Sequence, residues 1–259
     1  MNKRSLIGLF IILLLFGFCV FLYHRESTRL QDENLMLKAN LVAADHESAI
    51  SGIRKFLLGI SYAVDATGAD AHTCAEILGR ISSMYPYLQN VGVIDTSGAL
   101  ICSGLEPRGS VSFKDDSDFA SLIRTKDFVM SDYTKGPIMK EPGIRFYQPI
   151  ITKDGELKGA VFVGLGVEWL NSLGPSATSL ERTLIVKFDR QGTVYMRFPD
   201  PLTWNGTDQS DSDLFTYIQA HKTGYVWIKG LAGATRRYYF RPIYQNTDIQ
   251  SYVAVASIE

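Results

Sequence analysis

The chain carries almost no excess charge. Its 26 Lys and Arg nearly offset 27 Asp and Glu, leaving −1 and a pI near 6.4 over 259 residues. That balance gives no electrostatic footprint for nucleic acid, so none is expected as a partner. Histidine is sparse. His24, His46, His72 and His221 lie far apart, with neither an i, i+4 pair nor paired-cysteine spacing, so no metal site and no cofactor are expected. No serine sits in a nucleophile elbow, and Gly164-Leu165-Gly166 lacks the third glycine and the context of a dinucleotide loop. Asp115 and Asp118 are two acids without a cleft, which is no basis for a glycosidase. The expectation is a chain that is not an enzyme. Low-complexity tracts and short-period repeats are missing, and Pro and Gly punctuate the sequence without forming a linker.

What is present begins with one apolar run. Met1-Asn2-Lys3-Arg4 precedes Leu6 to Tyr23, which holds no charged residue. Its roughly 18 residues make about 27 Å of helix, enough to span a bilayer core with little tilt. A cleaved signal peptide is the competing reading, but it wants a shorter apolar region and small residues at its exit. Here the exit is Phe18-Cys19-Val20-Phe21-Leu22-Tyr23, bulky throughout. Lys3 and Arg4 keep the short tip in the cytoplasm. The bulk of the chain is then periplasmic or extracellular, anchored in the inner membrane by one span.

In an oxidising compartment the cysteine count acquires a meaning. Cys19 lies in the apolar run, which leaves Cys74 and Cys102 as an even pair. A bridge would close about 28 residues and stabilise by roughly 3–4 kcal/mol on the chain-entropy model. Two small buried thiols are the alternative.

From Glu26 to about Val64 the pattern is helical, with Leu30, Leu37, Leu41, Ala44, Ile53, Leu57, Ile60 and Val64 at helical spacings. The first half of so long a helix should project from the membrane and pair with a second copy, making a homodimer. A second helix spans Ala71 to about Met84. Hairpin strands in "NVGVIDTSGALICSG" (90–104) follow, then a short helix capped within Asp115-Asp116-Ser117-Asp118. Strands are expected near Phe128–Tyr133, Ile144–Thr152 and Leu157–Val167, with Glu168-Trp169-Leu170 starting a helix. The order hairpin, helix, three strands then recurs: strands Thr183–Phe188 and Thr193–Phe198, a helix from Asp211 to Ala220, and strands Gly224–Lys229, Thr235–Tyr244 and Gln250–Ala256. The fold class is α+β: a transmembrane helix (1–24), a long stalk helix (25–66), a membrane-distal unit (67–167) and a membrane-proximal unit (168–259).

These segments, in this order and spacing, resemble the extracytoplasmic double-Cache sensor region of bacterial transmembrane receptors, most closely those fused to diguanylate cyclases, histidine kinases and chemoreceptors. "VGVIDTSGALICSG" resembles the first hairpin with its cysteine, and Cys74 sits where the partner cysteine is found. "DDSDFASLIRTKDFVMSDY" resembles the segment flanking the membrane-distal pocket. "RFYQPIITKDGELKGAVFVGLGVEWL" resembles the central strands and exit helix, and "TGYVWIKGLAGATRRYYFRPI" the closing sheet of the membrane-proximal unit. The resemblance implies a long helix along two PAS-like antiparallel sheets and a small ligand bound outside the cell. One departure stands out: where the family often reads Asp-Arg-x-Tyr-Phe, this chain has Asp115-Asp116-Ser117-Asp118-Phe119. Asp116 replaces an arginine that could grip a carboxylate, and Asp118 replaces the tyrosine. Asp115, Phe119 and Tyr133 match.

Residue reasoning reaches a pocket in the same place. Arg145 and Tyr147 share one face of their strand by period two, and Tyr133 ends the neighbouring strand. With Asp118, Phe119 and Asp132 they set acids beside aromatic rings, which suits an ammonium group, while Arg145 offers a carboxylate partner. The candidate ligand residues are Asp115, Asp118, Phe119, Asp132, Tyr133, Arg145 and Tyr147. An amino acid or amine is the first choice of ligand, an organic acid the second. Two other classes stand beside a ligand sensor: a redox sensor using Cys74–Cys102, and a dimerisation or interaction domain that binds no solute.

Overall fold

The computed structural model describes residues 3–258 apart from 69, 86, 108, 140, 167–168, 170–181 and 246–247, and apart from the side chains of 3–11 and 67. Helix α1 (Lys3–Thr67) runs unbroken for 65 residues. Among the described residues no helix is long and apolar enough to cross a membrane. The side chains of Leu6 to Ile11, the first third of the apolar run, lie outside the described ones.

After α1, Asp70 caps helix α2 (Ala71–Met84), its carboxylate accepting from the backbone N–H of His72 and Thr73. Strands β1 (Leu88–Asp95), β2 (Leu100–Ser103), β3 (Val129–Met130), β4 (Gly143–Ile151) and β5 (Leu157–Gly166) form an antiparallel sheet of order β2-β1-β5-β4-β3, with helix α3 (Ser117–Thr125) between β2 and β3. Strands β6 (Thr183–Asp189), β7 (Val194–Phe198), β8 (Gly224–Lys229), β9 (Thr235–Gln245) and β10 (Asp248–Ser257) form a second sheet of order β7-β6-β10-β9-β8, with the short helix α4 (Pro201–Trp204) and helix α5 (Asp213–His221) between β7 and β8. The same order occurs twice, as the hairpin, helix and three-strand pattern predicts; α4 had no signal strong enough to read.

Two expectations need correction. The strand read as Phe128–Tyr133 shrinks to Val129–Met130, because Ser131 then bonds across β4 twice: its N–H donates to the Arg145 carbonyl (2.8 Å) and its hydroxyl accepts the Arg145 N–H (2.9 Å). The chain leaves the sheet there. The near half of α1 was also expected to lack a domain over it. Instead the second sheet covers Leu35, Ala39, Val42, Ala43 and His46, and the first sheet covers Ile50 and Leu57. Small alanines let β9 and β10 approach the helix closely. Leu30, Leu37 and Leu41 lie on the opposite face and stay exposed, at 57, 57 and 52%. Ion pairs fasten α1 to both units, Asp32 with Arg237 of β9 (2.6 Å to Nη2) and Arg54 with Asp127 (2.7 Å).

Each sheet thus packs one face on α1 and the other under its own short helix. Cys74 on α2 and Cys102 on β2 form the expected disulfide, their Cα atoms 6.0 Å apart and both residues buried. Beneath α1, β6 buries Lys187, whose Nζ lies 3.4 Å from His46 Nδ1. Burial pushes the Lys187 ammonium down to about 7, with Asp45 opposing. Burial first, and Lys187 second, hold His46 well below its usual value.

Candidate functional site

Alternation along β4 aims Arg145 and Tyr147 at the side of the first sheet that faces α3. Helix α3 begins at Asp116, whose Oδ1 accepts from the N–H groups of Asp118 and Phe119, both at 3.0 Å. That is ordinary N-capping. The other oxygen of the same carboxylate does something more. Oδ2 accepts from Arg145 Nη2 at 2.9 Å and from the Tyr147 hydroxyl at 3.1 Å. The Arg145 and Asp116 side chains are only 6% and 9% exposed, so this pair is neutralised in a poorly solvated place. Burial, with Asp116 adding to it, holds the Tyr147 hydroxyl well above its usual value. The loop after β3 closes over Arg145: a side chain at Gly136 would come within 2.7 Å of Arg145 Nη1.

Outside this pair lies a second layer. Asp132 accepts from Arg190 through Nε at 2.9 Å, Nη2 at 3.2 Å and the backbone N–H at 3.3 Å. Asp118 shares the same guanidinium at 3.3 Å. Arg190 belongs to the β6–β7 turn, so two acids of the first unit grip a cation of the second. Desolvation, and then the Asp116 charge, raise the carboxyl of Asp118 above its ordinary value. Beside the clamp, the Tyr133 N–H donates to Asp189 Oδ2 at 3.1 Å. The Tyr133 ring lines a cleft of about 580 Å³ between the units, with Thr134, Gln191, Thr193 and Asp208.

Of the seven residues expected here, Asp118, Asp132, Arg145 and Tyr147 gather around Asp116 and Arg190, and Tyr133 faces the adjoining cleft. Phe119 is 3% exposed and packs in the core with Phe113, Leu122 and Phe162. Asp115 is exposed. Sequence reasoning missed two residues. Asp116 reads as a cap from its place before an apolar helix, but nothing local shows that its second oxygen points inward. Arg190 lies in a turn 58 residues beyond Asp132, in another unit, and gives no local signal.

No family model matches the chain, and no curated protein matches it in sequence. Solved structures do match in shape. The extracellular domain rpHK1S-Z16, ascribed to a histidine kinase, superposes with a TM-score of 0.71 at 18% identity, covering 91% of this chain and 95% of that one. The ligand-binding domain of the Pseudomonas fluorescens chemoreceptor CtaA in complex with L-leucine gives 0.67 at 13% identity, over 89% and 96%. That of the Pseudomonas aeruginosa PAO1 amino acid chemoreceptor PctC with GABA gives 0.63 at 14%, over 87% and 98%. The chain has the double-Cache-like fold of these extracellular ligand-binding domains.

Proposed function

We propose that this chain is the extracytoplasmic input domain of a bacterial transmembrane signalling protein, and that its membrane-distal unit binds an amino acid or amine. One observation carries the ligand class. Asp118 and Asp132 close on a guanidinium, so the site already holds a cation by charge-assisted hydrogen bonds. An ammonium group competes for the same oxygens. Arg145 is committed to Asp116, which lowers the rank of an organic acid without an amine. Likeness to domains complexed with L-leucine and GABA supports the same class.

The reading includes a mechanism. A ligand ammonium that takes the place of Arg190 frees the β6–β7 turn, and the second sheet beyond it packs on the near half of α1. The run from Leu6 to Tyr23 serves as the anchor, and the exposed Leu30, Leu37 and Leu41 face pairs with a second copy. The disulfide is a staple in this reading, because both sulfur-bearing residues are buried and labile bridges are usually exposed or strained. No catalytic role is assigned.

A thermal-shift screen of solutes tests the proposal. A bound ligand at a hundredfold excess over Kd stabilises by about 2.7 kcal/mol. Amines or amino acids should raise Tm, Asp118→Ala should abolish the rise, and Arg190→Gln should strengthen binding by removing the internal competitor. Shifts caused only by carboxylates without an amine, or a shift that survives Asp118→Ala, would overturn the assignment.

A further inference from the structure

The second unit carries an arginine of its own on the side of its sheet that faces away from α1. Arg197 on β7 pairs with Val186 on β6, and Val186 belongs to the core under α5. Arg197 is 6% exposed. Its Nε and Nη1 are sealed from solvent and donate to nothing. The guanidinium carbon stands 4.4 Å from the centroid of the Trp204 ring on α4. Among the described residues Arg197 makes no ion pair. The buried arginine of the first unit, Arg145 on β4, has Asp116.

Two more groups lie on the same side of this sheet. Tyr238 and Arg236 share one side of β9 by alternation, and Tyr238 is 1% exposed in the same core as Val186. Burial raises the Tyr238 hydroxyl above its ordinary value, with the charges of Arg236 and Arg197 opposing. Burial lowers the Arg197 guanidinium, and Asp200 at the start of α4 opposes that shift. Gly230 leaves room at this point: any side chain there would collide with the Tyr238 hydroxyl. Two cations, a phenol and one acid leave positive charge in excess beside a buried arginine whose donors are unused. Buried donors of native proteins are nearly always matched by an acceptor from protein, water or ligand.

We infer that the second unit holds its own site, in which Arg197, stacked on Trp204, receives the carboxylate of a small organic acid with Arg236 and Tyr238 beside it. Stacking on the ring face leaves the in-plane donors Nε and Nη1 unmatched, and such a pair of donors suits a planar carboxylate. This site is separate from the amine site of the first unit, and its failure leaves that reading untouched.

Titration of the full chain with acetate, succinate and inorganic phosphate, at ionic strength held constant with chloride, tests the inference by calorimetry and tryptophan fluorescence. One of the two carboxylates should bind saturably and change the fluorescence, and Trp204→Phe should remove that change. Arg197→Gln and Arg236→Gln should each weaken binding at least tenfold, while Asp118→Ala leaves it intact. Arg236→Gln, at a half-buried position, carries the test if Arg197→Gln does not fold. Three results would overturn the inference: no saturable carboxylate binding, binding of phosphate alone, or carboxylate binding that Arg236→Gln leaves unchanged.

Discussion

The two units share a backbone plan down to their turns. In the first, Asp95 Oδ1 accepts from the N–H groups of Ser97 and Ala99, and Gly98 takes a positive φ of 86°. In the second, Asp189 Oδ1 accepts from Gln191 and Thr193, and Gly192 has φ 97°. Each hairpin then has a register shift at the same place, between Val93 and Ile94 and between Lys187 and Phe188. Registers match Cys102 with Met196 and Ser103 with Arg197. Buried charge is handled in opposite ways. The first unit neutralises Arg145 with Asp116 and staples α2 to β2 with a disulfide. The second buries Lys187 against His46 and, among the described residues, gives Arg197 no ion pair. The contrast teaches that turn residues and apolar alternation carry this plan, while the polar positions inside it are free to diverge.

The sharpest way to break the comparison is Asp116→Ala. It strands Arg145 in a dry place and should cost about 3–5 kcal/mol, by analogy with other buried pairs cut on one side. Hydrogen exchange should show the loss in β4 and β5 of the first unit while β9 and β10 keep their protection. Equal loss in both sheets would mean that the units do not differ in this respect. A smaller effect, roughly 3 kcal/mol, is expected when Cys74 and Cys102 are both replaced by serine. Denaturant unfolding followed by exchange in β1 and β2 measures it; unchanged stability would remove the staple from the list of differences.

The last prediction concerns Lys187 and is read as a slope against pH. Its folded value of about 7 lies below the ordinary 10.5. Between those values the unfolded chain binds the proton and the folded chain does not. Stability from this group therefore rises with pH from about 7 to about 10.5. Lys187→Met should flatten that part of a Tm-against-pH profile and change Tm little at its alkaline end. A profile with the same slope in both chains would show that Lys187 stays charged in the folded state.

Much of this molecule is legible in its sequence because the signals are local. Hairpins declare themselves by Asp-x-x-Gly between alternating runs, α3 by its cap, and β5 by its nearly apolar letters. Arg145 and Tyr147 fall on one face by counting alone. What counting misses is long-range or ambiguous. Arg190 meets Asp132 only once two units have folded against each other. Lys187 sits in a strand buried on both faces, where no pattern marks the lysine. On α1 the leucines at 30, 37 and 41 give the louder apolar signal, yet the sheet rests on the quieter face of Ala39 and Ala43.

Helix α1 has one more consequence, and it is mechanical. Asp32 and Arg54 pin it to different units at points about 33 Å apart along its axis. Nothing between them interrupts the helix, and Gly52 and Gly59 both lie inside it. A rod pinned at two points cannot let its loads turn independently. Any rotation of one sheet against the other either opens a pin or winds the rod, and winding travels toward Lys3 without a joint to absorb it.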